Sequence, residues 1–243
     1  LAVQKGVVVE EFKETQLNQP YGDAFAHLKA MSYQVHPYKW EVIGKEISHI
    51  ENAQLDDVRS FFFRHYRPNR AILSVAGGVK TDHIKQLAEK WFGSIEPGET
   101  YNRQLPQEPP QTEFRAKTIE ADVPVDAIYL AFHCCPRTDA DYHATELLAE
   151  ILSGGSSGRL FRRLVKENTL FSSLNAYCYG HFDNDLFYIE GKLSHGITFE
   201  QAETAIWQQL DELKTELVSG IELQKVVNKV ESSIVFAETS LWE

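Results

Sequence analysis

Methionine and cysteine are scarce in this 243-residue chain, and each scarcity is informative. Met31 is the single methionine, and the chain opens at Leu1 within a stretch of helical periodicity. We therefore expect a processed or excised piece of a longer protein, whose own N-terminus says nothing about targeting. The three cysteines, Cys134, Cys135 and Cys178, form no Cys-x-x-Cys pair. An odd number without framework spacing argues against a disulfide scaffold and predicts buried free thiols.

Basic residues and long apolar runs are also in short supply. Lysine and arginine number 24 against 35 aspartate and glutamate residues, which gives a net charge of −11. A surface this acidic repels phosphate backbones and anionic lipid heads, so we expect neither nucleic-acid nor membrane partners. The longest apolar runs, such as residues 127–132, fall far short of the roughly 20 residues that span a bilayer. With 43% hydrophobic residues, the composition is that of a globular chain.

The spacing of apolar residues predicts a mixed chain of helices and strands. Helices are expected over residues 3–17, 23–31, 55–66, 81–92, 139–152, 159–166, 199–217 and 221–238, and strands over 70–76, 114–120, 126–134, 172–179 and 186–193. The segment 97–112 is polar and contains Pro106, Pro109 and Pro110, so it is the best linker candidate. After it, the order ββααββαα differs from the alternation of a parallel sheet and predicts antiparallel α+β layers.

The histidine motifs of zinc proteases are missing from the chain. Neither His-Glu-x-x-His nor His-x-x-Glu-His occurs, and Leu147 stands where a second histidine would follow His143-Ala-Thr-Glu146. We expect His143 to be a surface or boundary residue, and histidine pairs assemble no metal site. Glu10 and Glu11 lie beside valines in a predicted helix, where burying a carboxylate is costly unless it is paired or bound to metal. The residues alone leave open a solvated face and a metal or catalytic role.

A glycine- and serine-rich run at residues 153–158 permits two functional interpretations besides a turn. It lacks the Gly-Lys-Ser/Thr ending of a phosphate-binding loop. Its Gly-x-Ser-x-Gly match around Ser156 follows a predicted helix, whereas a nucleophile elbow follows a strand. We expect a tight turn between two helices, capped by Ser156 or Ser157. A small-molecule binding module has no support beyond this run.

Several segments, in order and spacing, carry a resemblance that covers essentially the whole chain. In the first half they are Gln4-Lys-Gly-Val-Val-Val-Glu-Glu-Phe-Lys13, Asn18-Gln-Pro-Tyr-Gly22, His36-Pro-Tyr38, Phe63-Arg-His-Tyr-Arg-Pro-Asn69 and Ile72-Leu-Ser-Val-Ala-Gly77. In the second half they are Glu150-Ile-Leu-Ser-Gly-Gly155, Ser157-Gly-Arg-Leu-Phe161 and Leu223-Gln-Lys-Val-Val-Asn-Lys229. Together they resemble the M16 family of zinc metallopeptidases, the group of pitrilysin, insulin-degrading enzyme and mitochondrial processing peptidase.

The resemblance implies a pair of similar α/β units, each a mostly antiparallel sheet with helices packed on one side. Residues 1–105 would be the C-terminal part of the zinc-binding domain, and residues 112–243 a second M16-type domain. In this family two histidines of His-x-x-Glu-His and a later glutamate hold zinc. The family pattern places Glu11 at the third zinc ligand, with Glu10 as its solvated neighbour. Gln4 replaces the usual orienting carboxylate, a change that would weaken the site.

The resemblance also implies a partial role in zinc-dependent hydrolysis of peptide bonds. The His-x-x-Glu-His segment would lie before Leu1, so we expect this chain alone to be inactive, with no catalytic or cofactor-binding residue and no bound zinc. Related halves carry a substrate-binding arginine and tyrosine where this chain has Val165 and Ser172, so it resembles the zinc-bearing half. A second half or subunit would supply the Arg and Tyr and close a clamshell chamber around a peptide or an unfolded polypeptide.

The alternative is a non-catalytic subunit on the same fold, which would be structural or would clamp substrate. An intact upstream His-x-x-Glu-His would favour the peptidase, and a broken one would favour the scaffold. The substrate is left open by the sequence. We expect a soluble protein, in either the bacterial cytoplasm or the periplasm.

Overall fold

The computed structural model describes residues 1–240, and they divide into two compact units. The first unit comprises residues 1–13, 42–105 and the chain from 235 onward, and the second comprises residues 14–41 and 106–234. The helices are α1 (Ala2–Phe12), α2 (Ala24–Ser32), α3 (Ile47–Asn52), α4 (Leu55–His65), α5 (Thr81–Phe92), α6 (Tyr142–Ser153), α7 (Phe199–Thr215) and α8 (Gly220–Ala237). The strands are β1 (Ala127–Cys134), β2 (Phe171–Cys178) and β3 (Asp185–Leu193). Residues 1–240 also contain two π-helical segments, Lys13–Leu17 and Phe161–Glu167, and short 3₁₀ turns that include Pro68–Arg70 and Gly155–Ser157.

The predicted helices are confirmed, with ends that differ by up to three residues. The Lys13–Leu17 segment continues α1, and Phe161–Glu167 occupies the position predicted for a helix over 159–166. The sequence did not predict the six-residue α3. Within residues 1–240, no helix is long and apolar enough to cross a bilayer. The last three residues of the predicted second domain lie outside the described residues.

The sheet of the second unit has three antiparallel strands in the order β1-β3-β2. Ala127 pairs with Lys192 at one end of β1, and Cys134 pairs with Asp185 at the other end. Along β2, Ala176 pairs with Ile189 of the central strand β3. The antiparallel layers predicted from the sequence are therefore confirmed, and each of these strands begins and ends within one residue of its predicted position.

The predicted strand at residues 114–120 is wrong, because this segment pairs with no strand among the described residues. Its side chains tie it to α2: Arg115 donates to the carbonyl of Met31, and Nζ of Lys117 lies 3.2 Å from Nδ1 of His27. A β-strand needs a backbone ladder to a neighbour. Side-chain alternation predicts which face a residue would use, and it does not supply the neighbour.

One face of the sheet packs against α6, α7 and the Phe161–Glu167 segment. Side chains of a strand alternate between faces, so alternate residues of β3 point into this core, as do those of β2 after the register shift between Phe171 and Ser173. The buried residues of the core are Ala149, Leu152, Leu160, Leu164, Phe171, Leu174, Ala176, Phe187, Ile189, Leu193, Ala202, Ala205 and Ile206. Burial of each large apolar side chain contributes about 1.5–3 kcal/mol. This core therefore fixes the strand register on which the rest of the unit is built.

The opposite face of the sheet is covered by α2 and the residues that follow it. Leu28 and Tyr33 pack against Leu186 and Tyr188 of β3, and the ring of Phe25 meets that of Tyr188 edge-on at 5.5 Å between centroids. The expectation that helices pack on one side of each sheet is therefore wrong for this sheet. The physical reason is that Leu186 and Tyr188 make the first half of this face of β3 apolar as well, so it also needs cover.

The first unit consists of helices with extended connections. Helix α1 packs against α3, and Nζ of Lys5 donates to the carbonyl of Glu51 at 2.7 Å. Helix α4 begins at a reciprocal cap, in which the N–H of Gln54 donates to Oδ2 of Asp57 at 2.8 Å. Such a cap satisfies N–H groups that the first helical turn leaves without partners.

The predicted strand over residues 70–76 is also wrong. Pro68–Arg70 forms a single 3₁₀ turn, and the residues after it lie outside any regular element. Ile72 has 95% of its surface exposed. The apolar, β-branched residues of this run give it strand propensity, but among the described residues no other strand lies alongside it to complete a ladder.

Candidate functional site

Helix α1 presents Glu11, the residue predicted as a metal ligand, on its exposed side. Val9 and Phe12 are the buried residues of this helix, whereas Gln4 and Glu11 are exposed. Seven residues separate Gln4 from Glu11, so two helical turns place them on the same side. Glu10 is exposed and pairs with Nζ of Lys13 at 2.7 Å. Glu10 and Glu11 are therefore both surface carboxylates of α1.

The residues described by the structure do not by themselves form a zinc site. Among residues 1–240, no group of three His, Cys, Asp or Glu side chains is arranged to hold a metal ion. Protein zinc sites use at least three such ligands. His143 is exposed, and its Nδ1 lies 2.9 Å from Oε2 of Glu146, so its predicted surface position is confirmed. In this part of the protein, Glu11 can provide at most one ligand of a larger set.

The glycine- and serine-rich run forms a turn between two helical segments, as predicted. Gly155 has φ +70°, a conformation that favours glycine, and Gly155–Ser157 forms one 3₁₀ turn. The predicted serine cap is wrong, since the N-caps of the two segments that follow are Gly154 and Leu160. Ser153 has a role that the sequence did not predict. Its Oγ donates to the carbonyl of Ala176 and accepts from the N–H of Ala176, both at 2.8 Å, and so occupies the outer edge of β2.

The two positions compared with the arginine and tyrosine of related halves lie on the second unit. Val165 is partly buried and packs against the core of the second unit. Ser172 is exposed on β2, and its Oγ donates to the carbonyl of Lys192 at 3.3 Å. The assignment of this chain to the zinc-bearing type of half stays a prediction.

A buried carboxylate, Asp185, organises the turn between β2 and β3. The side chain is 1% exposed, and its Oδ2 accepts the N–H groups of Gly180 and His181 at 2.8 and 3.1 Å. Its Oδ1 accepts the N–H of Leu186 at 2.7 Å and lies 2.7 Å from Nδ1 of His181. These bonds offset the cost of removing a carboxylate from water and fix the shape of the turn.

The segment after α2 is seated on this turn. Tyr33 donates its hydroxyl to the carbonyl of Asn184 at 3.0 Å, and Tyr38 donates its hydroxyl to Oδ2 of Asp183 at 3.4 Å. His36 is 4% exposed, and its Nδ1 accepts the N–H of Tyr38 at 3.3 Å. Its proton therefore lies on Nε2, 3.7 Å from Oδ2 of Asp183. Within residues 1–240, no third His, Cys, Asp or Glu side chain joins this His36–Asp183 pair in an arrangement that could hold a metal ion.

Burial keeps the thiols and a tyrosine of the second unit uncharged. It raises the pKa of Cys134 to about 12 and that of Cys178 to about 11, with Asp185 adding to both shifts. It also raises the pKa of Tyr33 well above the usual range, again with a contribution from Asp185. All three cysteines are free and partly buried, so the predicted free thiols are confirmed. A thiol that stays protonated is a poor nucleophile, which argues against catalysis by Cys134 or Cys178.

Sequence reasoning missed the carboxylates that organise the second unit. Asp185 follows a short polar run between two predicted strands, and nothing in that run distinguishes a carboxylate that is 1% exposed from a solvated one. Glu108 lies in the polar linker and accepts backbone N–H groups of Gln34 and His36, more than 70 residues away. No local pattern around Glu108 indicates this contact.

Comparisons with known proteins agree on one family. A family model described as the peptidase M16 inactive domain matches residues 52–230. The zinc protease PqqE of Helicobacter pylori is 26% identical over 226 residues, which cover 92% of this chain and 51% of that protein. A probable mitochondrial-processing peptidase subunit beta of Schizosaccharomyces pombe is 28% identical over 179 residues, which cover 67% of this chain and 38% of that protein.

Structural comparison gives the same result. The crystal structure of a protease from Helicobacter pylori matches with a TM-score of 0.89 at 25% identity, over 98% of this chain and 58% of that one. The chain spans about half the length of the curated relatives it matches. The family model covers well over half of the chain, and the resemblance noted from the sequence is confirmed. This chain belongs to the M16 peptidase family, and residues 52–230 match that family's inactive domain.

Proposed function

We propose that this chain is the C-terminal part of one half of a zinc-dependent M16 metalloendopeptidase that hydrolyses peptide bonds in a closed chamber. The observation that carries the proposal is the match of residues 52–230 to an M16 domain, together with relatives named as zinc proteases. That matched domain is described as inactive. The chain would therefore supply the scaffold of the half and one wall of the chamber, while the active-site histidines come from a segment of the longer protein.

Glu11 would be the contribution of this chain to the metal centre. It lies on the exposed side of α1. The buried side chains of Val9 and Phe12 anchor the opposite side of this helix, so the carboxylate of Glu11 faces solvent. A carboxylate oxygen is a common zinc ligand, but one carboxylate does not retain zinc without two further ligands. The proposal therefore predicts zinc in the longer protein and none in this chain alone.

The partner would be a second M16-type half, in the same chain or as another subunit. Support comes from the Schizosaccharomyces pombe relative, which is itself named a subunit. Val165 and Ser172 stand where a substrate-binding arginine and tyrosine are expected, so the partner would provide those two groups. The substrate would be a peptide or an unfolded polypeptide, held between the two halves.

A second candidate function is a non-catalytic M16 subunit that clamps substrate or supports a catalytic partner. The description of the matched domain as inactive favours it, as does the neutral Gln4 on the same side of α1 as Glu11. The two functions make opposite predictions for metal content. A peptidase half holds zinc, and a scaffold half does not.

The deciding experiment is elemental analysis of the full-length parent protein after zinc loading and desalting. Glu11→Gln removes the proposed ligand while keeping its size, and Glu10→Gln is the matched control on the next residue. One zinc per parent protein, retained in Glu10→Gln and lost in Glu11→Gln, is the expected result. A zinc-free parent would overturn the peptidase proposal and leave the scaffold function as the remaining candidate. Zinc lost from Glu10→Gln and kept in Glu11→Gln would move the ligand to Glu10.

A further inference from the structure

Three consecutive backbone N–H groups converge on the carboxylate of Glu108. Oε1 accepts the N–H of Gln34 at 2.6 Å, and Oε2 accepts those of Val35 and His36 at 3.0 and 2.9 Å. Burial of Glu108 acts to raise its pKa, but these three bonds outweigh that effect and hold the pKa below its usual range. Successive N–H groups pointing to one spot form a concave anion-binding nest.

Two cationic side chains donate to carbonyl groups of the segment that carries this nest, although the chain as a whole is acidic. Nζ of Lys39 donates to the carbonyl of Gln34 at 3.3 Å, and the guanidinium of Arg115 donates to the carbonyl of Met31. Gln34 is itself a residue of the nest, and Met31 lies three residues before it. The converging N–H groups favour an anion at this position despite the net charge of −11.

The anion at this position belongs to a strap, residues 107–111, that forms one wall of a cleft. The cleft measures about 790 Å³, and its other wall consists of Ala131, Phe132 and His133 of β1 with Asn184. The strap has no regular structure, and two of its residues are prolines without N–H groups. The three bonds between the strap and residues 34–36 all end on the one carboxylate of Glu108.

We propose that the N–H groups of residues 34–36 form a carboxylate-binding site, that Glu108 fills it as an internal ligand, and that an external carboxylate can displace the strap and open the cleft. The natural external ligand would be the C-terminal carboxylate of a peptide, a binding mode known for backbone nests. That last assignment rests on the proposed peptidase function, whereas the carboxylate chemistry does not. Because the tether gives Glu108 an effective concentration in the mM range, an external carboxylate binds the unaltered chain weakly.

The test removes the internal ligand and supplies an external one. Amide resonances of residues 34–36 are followed by NMR while sodium acetate is added to the chain and to Glu108→Ala, with sodium chloride as the salt control. Glu113→Ala is the matched control, since Glu113 lies in the same polar segment and is exposed. We expect acetate to shift these amides saturably in Glu108→Ala, with an affinity at least tenfold higher than in the unaltered chain and in Glu113→Ala. Equal shifts in all three proteins, or shifts that chloride reproduces, would overturn the proposal.

Two further experiments address the case in which Glu108→Ala does not fold and the identity of the natural ligand. If Glu108→Ala does not fold, Glu108→Gln keeps a carbonyl acceptor, and amide exchange at residues 34–36 should be faster than in the unaltered chain and slowed by acetate. Unchanged amide exchange in that variant would refute the proposal that Glu108 fills the carboxylate-binding site. Short peptides with free and amidated C-termini are then compared on the variant that folds. Preference for the free terminus is expected, and equal binding would overturn the peptide assignment while acetate binding still supports the carboxylate site.

Discussion

Replacing Ser153 with alanine removes two hydrogen bonds at once from the outer edge of β2. The Oγ of Ser153 bonds both backbone groups of Ala176 at 2.8 Å, and Ala176 is 5% exposed. Water has little access to the two groups, so each loss costs about 1–3 kcal/mol. With partial relaxation of the edge strand, Ser153→Ala should lower the free energy of unfolding by about 2–3 kcal/mol. For a chain of this size, that corresponds to a fall in Tm of roughly 4–12 °C.

The assay is urea unfolding followed by tryptophan fluorescence, with hydrogen exchange at the amide of Ala176 as a local readout. Ser156→Ala is the matched control, because Ser156 is exposed in the same turn, and it should change stability by less than about 0.5 kcal/mol. The amide of Ala176 should exchange faster in Ser153→Ala and at its normal rate in Ser156→Ala. Equal unfolding curves for the two variants, or unchanged exchange at Ala176, would refute the capping role of Ser153.

Two other predictions concern ionisation. The bidentate pair between Arg159 and Glu222, at 2.8 and 2.7 Å, lowers the pKa of Glu222 from 4.5 through its hydrogen bonds. The stabilisation is therefore complete above about pH 4.5 and lost as the pH falls through the lowered folded pKa. Urea unfolding should show Glu222→Gln less stable than the unaltered chain at pH 7, with a gap that closes in acid, and a pH-independent gap would contradict this. The raised pKa values of Cys134 and Cys178, about 12 and 11, leave very little thiolate at pH 8. Both thiols should therefore react with iodoacetamide roughly 100-fold or more slowly than an ordinary thiol. Labelling of the native chain at the rate of the urea-unfolded chain would contradict this prediction.

The strands of the second unit were predictable because each of them finds a partner that completes its ladder. The segments 172–179 and 186–193 are neighbours in sequence and pair as β2 and β3, and 126–134 pairs with β3 as β1 although it lies far from β3 in sequence. The runs 70–76 and 114–120 have similar propensity, yet among the described residues no strand completes a ladder with them. Local pattern thus predicts what a segment can become, and long-range pairing decides what it does become.

The roles of the site residues also depend on long-range contacts that a local sequence pattern does not predict. Glu11 was identified through a resemblance, and the structure adds that it is exposed on a helix with a buried opposite side. Its metal role stays a prediction, since its partners would lie elsewhere. The partners of Glu108 are backbone N–H groups, which any residue carries, so sequence offers nothing to recognise them by. The expectation that helices pack on one side of the sheet was wrong because Leu186 and Tyr188 give the other face of β3 an apolar surface as well.

The placement of α2 on the far face of the sheet has a consequence during synthesis. Tyr33 and its hydrogen-bond partner Asn184 are 151 residues apart, and α2 precedes all three strands that it helps to cover. At a translation rate of about 5–20 residues per second, α2 leaves the ribosome roughly 8–30 s before its docking surface is complete. During that interval Phe25 and Leu28 have no sheet to pack against. The nascent chain should therefore depend on a holding chaperone or on transient local burial until β3 has been made.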